Sequence, residues 1–185
     1  MKQKDYSYLR EIKESSEDIF DGVILHVKKD RVRLPNGDRS GRELIRHVGA
    51  VAVIPVFEDG TVIIEHQFRY PLDKVITEIP AGKLDSLSED RLTAAKREFK
   101  EETGYTADTW IDLGEYHPAA AYTDEKLTIY LARDLHEGEQ KLDEDEFLEL
   151  ERVPLKELEE LVMSGEITDG KTQVAVLKAA RYLGI

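Results

Sequence analysis

Apolar residues in the central part of the chain fall into short runs that predict β-strands. The runs Val48–Phe57 and Thr61–Phe68 flank the turn sequence Glu58-Asp-Gly60, and this arrangement predicts a hairpin. Lys74–Ile79 and Leu127–Ala132 predict two further strands. Because a strong helix pattern lies between them, the sequence favours an α/β layer arrangement with a mixed sheet.

The N-terminal region has shorter β-rich runs separated by charged turns. Gly22–Val27 and Arg31–Leu34 predict strands, and Leu34-Pro-Asn-Gly37 predicts a turn. We expect residues 1–47 to form a small antiparallel β unit and residues 48–185 to form the main domain. Such a small unit cannot bury its own apolar face, so it must pack on the rest of the chain or on a second subunit.

Two amphipathic helices are predicted after Pro154. Apolar residues recur at helical spacing from Leu155 to Val162, and Gly165 follows as a stop signal. A second run of the same kind covers Thr172–Leu183.

The central helix pattern has recognisable start and stop signals. Ser86-x-x-Glu89 fits a capping box at its N-terminus. Gly104 stands where a left-handed C-terminal cap is expected.

Three carboxylates share one face of this predicted helix. Glu98 is three residues before Glu101 and four before Glu102, and like charges at these spacings destabilise a helix by roughly 0.2–0.5 kcal/mol per pair. A hard cation such as Mg²⁺ would offset this repulsion. The alternative is an ordinary solvated charged face, which is common in helices rich in glutamate and lysine.

The residues from Gly82 to Tyr105 resemble the signature of the Nudix hydrolase family, G-x5-E-x7-R-E-U-x-E-E-x-G-U, where U is a bulky apolar residue. The match is complete from Glu89 to Tyr105. At the beginning, six residues rather than five separate Gly82 from Glu89. The resemblance implies a Nudix α/β/α sandwich and metal-dependent hydrolysis of a pyrophosphate bond.

The resemblance also implies the metal ligands. Glu98 and Glu102 are the main ligands, Glu101 assists, and the backbone carbonyl of Ala81 completes the site. The expected cofactor is Mg²⁺, with Mn²⁺ as an alternative. Arg97 has a different role, because its planar guanidinium can pair with the motif carboxylates and hold them in place. An ordinary helix salt bridge is the competing interpretation of Arg97.

Segments around the motif resemble the ADP-ribose pyrophosphatase subgroup of Nudix enzymes. They are, in order, Arg42–Ile45, Gln67–Arg69, Glu78–Gly82 and Tyr122–Glu125. The subgroup commonly has a proline 15 residues beyond the motif, whereas this chain has Ala120 there, with Pro118 two residues earlier. The resemblance implies cleavage of ADP-ribose to AMP and ribose 5-phosphate.

Three alternatives to that function stay open. One is a Nudix pyrophosphatase acting on another nucleotide sugar, such as GDP-mannose, and the altered proline position favours it. Another is a non-catalytic module that senses ADP-ribose, although a sensor does not need the full set of carboxylates. The third is a hydrolase of oxidised nucleoside triphosphates.

The acidic loop Leu142–Phe147 is the expected source of the general base. The resemblance favours Glu144 as this base, with Glu146 as a metal ligand or a substitute base. Taken alone, such an acidic run is typical of a solvated loop.

Four residues outside the motif are candidates for substrate binding. Arg42 and Arg69 are suited to the diphosphate or the terminal ribose, since arginine binds phosphate bidentately. Glu78 and Glu125 can accept hydrogen bonds from ribose hydroxyls. Each arginine is also compatible with a structural ion pair.

Composition narrows the class of protein. The net charge of −13 disfavours nucleic acid as a partner. The absence of cysteine excludes disulfides and thiolate chemistry. The sequence has neither the roughly 20-residue apolar run of a transmembrane helix nor the apolar core of a signal peptide. We therefore expect a cytoplasmic protein with a small-molecule substrate and no membrane partner, and the resemblance implies a homodimer that exchanges the N-terminal β unit.

Overall fold

The computed structural model describes residues 4–185, which form two compact units. One unit holds the described residues up to 47 together with residues 119–125. The other holds residues 48–118 and 126–185. The sequence did not indicate that residues 119–125 would join the N-terminal residues.

The first unit is an antiparallel sheet of three strands in the order β1-β2-β3. Its strands are β1 (Ile12–Asp21), β2 (His26–Arg33) and β3 (Arg39–Arg46). The predicted turn at Leu34–Gly37 is confirmed, because the Gly37 amide donates to the Leu34 carbonyl at 2.9 Å. The predicted strand Gly22–Val27 is wrong at its start, since Gly22 donates to Leu25 in the turn between β1 and β2.

The second unit contains two sheets and three helices. A mixed sheet has the strand order β7-β4-β9-β8, and an antiparallel sheet has the order β10-β5-β6. The strands are β4 (Ala50–Pro55), β5 (Thr61–Arg69), β6 (Lys74–Glu78), β7 (Ala81–Lys83), β8 (Thr106–Tyr116), β9 (Leu127–His136) and β10 (Leu148–Pro154). The helices are α1 (Arg91–Thr103), α2 (Leu155–Ser164) and α3 (Gly170–Leu183). None of the described helices has the length and apolar character needed to cross a membrane.

Strand β4 lies at the centre of the mixed sheet and is buried on both faces. Ala52 and Ile54 pack in the core that includes residues of α2 and α3, whereas Val51 and Val53 pack with Ala95 and Phe99 of α1. Helices therefore cover both sides of this sheet, which confirms the predicted α/β/α layers and the two C-terminal helices.

The predicted hairpin between the two long apolar runs is wrong. β4 pairs with β7 and β9, while β5 pairs with β6 and β10 in the other sheet. A single bridge between Val56 and Val62 links the two runs. The run in β4 is continuously apolar because both of its faces are covered, a pattern typical of a central strand with a parallel neighbour.

Candidate active site

Helix α1 carries the motif carboxylates, and its start differs from the prediction. Asp90, rather than Ser86, is the N-cap, and its carboxylate accepts a hydrogen bond from the Thr93 amide at 2.9 Å. Glu89 lies before the helix and accepts from the Asp85 amide at 2.6 Å. The prediction for the other end is confirmed, because Gly104 caps the helix in the left-handed conformation with φ 78°.

Arg97 contacts several carboxylates at once. Its Nη1 lies 2.8 Å from Glu98 Oε1 and 3.3 Å from Glu101 Oε2. Its Nη2 lies 3.3 Å from Glu89 Oε1. The predicted pairing of Arg97 with motif carboxylates is therefore confirmed, and Glu89 belongs to the same ion-pair network.

Glu102 lies on the buried side of α1, with 4% of its surface exposed. Its Oε2 accepts a hydrogen bond from the Ala81 amide at 2.9 Å, which ties the helix to the start of β7. Burial raises the pKa of Glu102 well above its ordinary value, and the neighbouring carboxylates Glu65, Glu146 and Glu98 raise it further. The alternative of an ordinary solvated charged face is therefore wrong for Glu102.

Gly82 gives the Glu98 carboxylate the space that it occupies. A Cβ atom built on Gly82 would lie 1.9 Å from Glu98 Cδ. Two atoms cannot approach this closely, so any other residue at position 82 would displace the Glu98 carboxylate. Burial raises the pKa of Glu98, while Arg97 opposes that shift.

Gly82→Ala should therefore impair activity much more than stability. The clash falls on the end of a flexible side chain, so the fold adjusts while the Glu98 carboxylate moves. We expect kcat to fall by about 10- to 100-fold, the usual effect of misplacing groups around a metal site, with little change in melting temperature. Gly41→Ala is the control, since a Cβ there meets nothing within 4 Å. Normal turnover by Gly82→Ala would show that the position of Glu98 is not critical.

Two buried glutamates face each other across β5 and β6. Glu65 and Glu78 are register partners, with 0% and 1% of their surfaces exposed. Glu78 accepts from Arg69 Nε at 2.5 Å and from Arg69 Nη2 at 3.0 Å, and it also pairs with Lys171 at the start of α3. Two of the predicted substrate residues, Arg69 and Glu78, are thus brought together in an ion pair.

Glu65 has no such partner. Neither of its carboxylate oxygens has a hydrogen-bond partner, although the side chain is fully buried. Burial, followed by the charge of Glu78, raises the pKa of Glu65 to about 7, against the opposing effect of Lys171 and Arg69. Neither Glu65 nor Lys171 was predicted as a site residue from the sequence. The available signal was a lone carboxylate directly after the apolar run Val62–Ile64.

The acidic loop is fixed to the C-terminal end of α1. Gln140 Nε2 donates to the Glu102 carbonyl at 2.5 Å, and the Lys141 amide donates to the Glu101 carbonyl at 2.9 Å. The backbone here passes very close to the helix cap, because a Cβ on Gly138 would lie 2.7 Å from the Gly104 carbonyl oxygen. Residues 142–147 therefore start from a fixed point beside the motif helix.

Within this loop, the structure brings Glu146 rather than Glu144 towards the motif carboxylates. Glu146 is half-buried, and its charge raises the pKa of both Glu98 and Glu102. Glu144 lies on an exposed turn. The sequence could not distinguish two glutamates that are two residues apart.

The other predicted substrate residues, Arg42 and Glu125, belong to the first unit. Arg42 forms an ion pair with Glu11, and its Nη1 donates to Ser40 Oγ at 3.1 Å. The Glu125 amide donates to Thr123 Oγ1 at 3.1 Å.

In a comparison with known protein families, residues 46–172 match the NUDIX domain. The chain belongs to the Nudix family. It is 43% identical to the ADP-ribose pyrophosphatase of Bacillus subtilis over 164 residues, covering 88% of each chain. It is 40% identical to the methanol dehydrogenase activator of Bacillus methanolicus, covering 87% of this chain and 88% of the relative.

A solved structure confirms the Nudix fold. A chain described as an ADP compounds hydrolase superposes with a TM-score of 0.82 at 24% identity, and the match covers 95% of each chain. The protein is thus a Nudix hydrolase whose motif helix is α1, and members of this family generally use divalent metal ions.

The residues around the Nudix helix fit a divalent cation. Among the described residues, no three His, Asp or Glu side chains are already arranged as a closed metal site. The donors are nevertheless suitable, because Glu98 and Glu102 are carboxylates whose raised pKa values reflect burial and repulsion from neighbouring carboxylates. The unpartnered oxygens of Glu65 add to the uncompensated negative charge. Glu98, Glu102 and the Ala81 carbonyl are the groups that would hold the ion.

Without metal, this Nudix protein should lose stability as the pH rises. The pKa of Glu65 is about 7 in the folded chain, compared with an ordinary value of 4.5, so the folded state binds this proton more tightly. The contribution is fully present below the unfolded pKa and is lost as the pH rises through 7, and it amounts to at most about 3 kcal/mol. Urea unfolding in EDTA at pH 4.5 and pH 8 measures the loss. Glu65→Gln should reduce this pH dependence, and an unchanged dependence would contradict the assignment.

Proposed function

We propose that the protein hydrolyses the pyrophosphate bond of ADP-ribose to give AMP and ribose 5-phosphate. The observation that carries the proposal is the group of carboxylates around α1, with Arg97 bound to Glu98 and Glu101. The identity of 43% to an ADP-ribose pyrophosphatase over 88% of each chain supports this choice of substrate.

The proposed mechanism assigns a separate task to each group. Glu98, Glu102 and the Ala81 carbonyl would hold a divalent cation, which we propose to be Mg²⁺, with Mn²⁺ able to replace it. A cation bound there would neutralise phosphoryl oxygens and activate water. Arg97 keeps Glu98 and Glu101 in position through its two ion pairs.

Glu146 is the proposed general base. Its carboxylate takes a proton from the attacking water, whose oxygen forms a bond to one phosphorus of the diphosphate. The bond from that phosphorus to the bridging oxygen breaks, and the departing phosphate retains the bridging oxygen and its electron pair. Glu144 remains the alternative that the sequence favoured.

Substrate binding is proposed for the two arginines and two glutamates outside the motif. Arg69 retains 39% side-chain exposure while bound to Glu78, so its guanidinium can also meet a phosphate. Glu78 then orients Arg69 in addition to any contact with ribose. Arg42 is proposed to bind phosphate and Glu125 to bind ribose.

We also propose that the protein is a homodimer. β1 is exposed along its whole length, and the first unit exposes several large apolar side chains. These are Tyr6, Tyr8, Leu9, Ile12, Ile19, Phe20, Val23, Ile24, Leu25 and Tyr122. Such a patch is typical of a protein interface. Light scattering at micromolar concentration tests this proposal, and the mass of a monomer would contradict it.

Product analysis tests the substrate directly. The purified protein with Mg²⁺ is given ADP-ribose, GDP-mannose, ADP-glucose, NADH and 8-oxo-dGTP, with the Glu102→Gln variant as the control for contaminating activity. Preferential release of AMP from ADP-ribose supports the proposal. Preference for another compound would retain the chemistry and change the substrate, whereas binding of ADP-ribose without turnover would indicate a sensor. The test is needed because a relative with 40% identity is named for activating methanol dehydrogenase.

A further inference from the structure

Glu65 is a buried carboxylate without a partner. It lies in β5 directly after Val62, Ile63 and Ile64, none of its surface is exposed, and neither oxygen has a hydrogen-bond partner. A buried charge is costly unless it is paired or binds a metal. The fold therefore retains an acidic group that the described residues do not satisfy.

The cationic side chains near Glu65 already pair with the neighbouring carboxylate of Glu78. Arg69 makes two hydrogen bonds to Glu78, and Lys171 pairs with both Glu78 and Asp169. Arg69 and Lys171 still attract Glu65 through space, but neither donates a hydrogen bond to it. Glu65 lacks the direct contacts that make Glu78 stable in the same environment.

Glu65 is also close to the Nudix helix. Its register partner is Glu78, and directly opposed residues of antiparallel strands have Cβ atoms about 4.5–5.5 Å apart. Three residues beyond Glu78, the Ala81 amide binds the Glu102 carboxylate. Of the charged groups that act on Glu102, Glu65 has the strongest effect. The buried strand carboxylate and the buried helix carboxylate therefore belong to one group.

The excess of negative charge in this group favours a divalent cation. Glu65, Glu78, Glu102 and Glu146 contribute four carboxylates, and Arg69 and Lys171 contribute two cations. When all six are ionised, at least two negative charges remain uncompensated. Asp169, which also pairs with Lys171, and Glu98, which shares Arg97 with Glu89 and Glu101, are further carboxylates outside this count.

We propose that Glu65 is a further ligand of the divalent cation, binding it together with Glu102 from the β5 side of the site. This inference rests on the proposed metal-dependent function. Cation binding would give the two unpartnered oxygens of Glu65 the oxygen–metal contacts that hard cations prefer. The aliphatic side chains of Ile63 and Ile64 cannot provide such contacts. Arg69 and Lys171 cannot provide them either, because both already pair with Glu78.

Binding of Mn²⁺ alone, without substrate, tests this role. The paramagnetic resonance signal of free Mn²⁺ is followed while the metal-free protein is titrated, and Mg²⁺ is then added as a competitor. Glu65→Gln and Glu65→Leu should weaken Mn²⁺ binding by at least about 10-fold, the lower end of the effect of changing groups around a metal. Glu151→Gln is the matched control, because Glu151 is a strand carboxylate that already pairs with His66 at 2.8 Å.

Unfolding in EDTA gives a second measurement that does not depend on activity. Glu65→Gln and Glu65→Leu should raise the melting temperature of the metal-free protein at pH 8, since they remove an unpartnered buried charge. Glu78→Gln should lower it, because that glutamate is paired with Arg69 and Lys171. A Glu65 variant that is less stable than the wild type, or that does not fold, would mean that the carboxylate supports the fold and would overturn the proposal.

The two proposals fail in different ways. If Glu102→Gln weakens Mn²⁺ binding and the Glu65 variants do not, then Glu65 is not a ligand and the metal site of the proposed function stands. If neither change affects Mn²⁺ binding, both the Glu65 inference and the metal assignment of Glu102 are wrong.

Discussion

Glu102→Gln should lower kcat for ADP-ribose by more than about 100-fold. This loss is larger than the usual effect of changing a group around a metal, because Glu102 is itself a proposed ligand. Glutamine has nearly the same volume and can still accept the hydrogen bond that the Ala81 amide now donates at 2.9 Å. The substitution therefore removes the negative charge and leaves this hydrogen bond in place. Since burial and three neighbouring carboxylates make that charge unfavourable without metal, we expect the metal-free variant to be at least as stable as the wild type.

Steady-state kinetics and thermal unfolding in EDTA check the two parts of this expectation. Glu101→Gln is the control on the same helix, because its side chain is 45% exposed and only an assisting role in metal binding is proposed for it. We expect the Glu101 variant to lose much less activity. Turnover close to normal in Glu102→Gln would remove Glu102 from the metal site.

Glu146→Gln should lower kcat by about 10²- to 10⁴-fold, the usual contribution of a general base. Glu144→Gln should change it only a few-fold. The two residues lie in the same loop and receive the same substitution, so each variant controls for the other. They differ in environment, because Glu146 is half-buried beside the motif carboxylates and Glu144 lies on an exposed turn.

Mn²⁺ binding separates the two roles that Glu146 can have. If Glu146 acts only as a base, Glu146→Gln should have little effect on Mn²⁺ affinity. A large loss of affinity would make Glu146 a ligand, in accordance with the alternative raised by the sequence. If Glu144→Gln is the more damaging change, the base is on the exposed turn and the loop must move when substrate binds.

Helix positions could be predicted from the sequence because their signals are local. The C-terminal cap at Gly104 is left-handed, as expected, and Gly165 ends α2 as predicted. The start of α1 was misplaced because two capping patterns lie next to each other in the sequence. Ser86-x-x-Glu89 and Asp90-x-x-Thr93 are both plausible starts, and the structure uses Asp90.

Strand pairing could not be predicted in the same way, because it depends on residues far apart in the chain. β4 pairs in parallel with β9, so Ala50 lies beside Leu127. Nothing in the local sequence of either strand specifies that partner. The short turn Glu58–Gly60 suggested a hairpin, but burial on both faces of β4 decided the outcome.

The same distinction applies to the candidate site. Glu98 and Glu102 were found because their spacing on one helix is visible in the sequence. Glu65 was missed because its significance depends on cross-strand register with Glu78 and on the absence of a hydrogen-bond partner. A single glutamate after an apolar run is otherwise typical of the end of a buried segment.

The close approach of Gly138 to Gly104 limits how the length of the acidic loop can change. Gln140 and Lys141 are bonded to the last turn of α1, so an insertion between residues 138 and 141 would break these bonds and separate the loop from the helix. Insertions between residues 142 and 147 would leave both bonds intact, and lengthening a flexible loop costs little free energy. The loop can therefore be redesigned for new substrates only on the side that leads into β10.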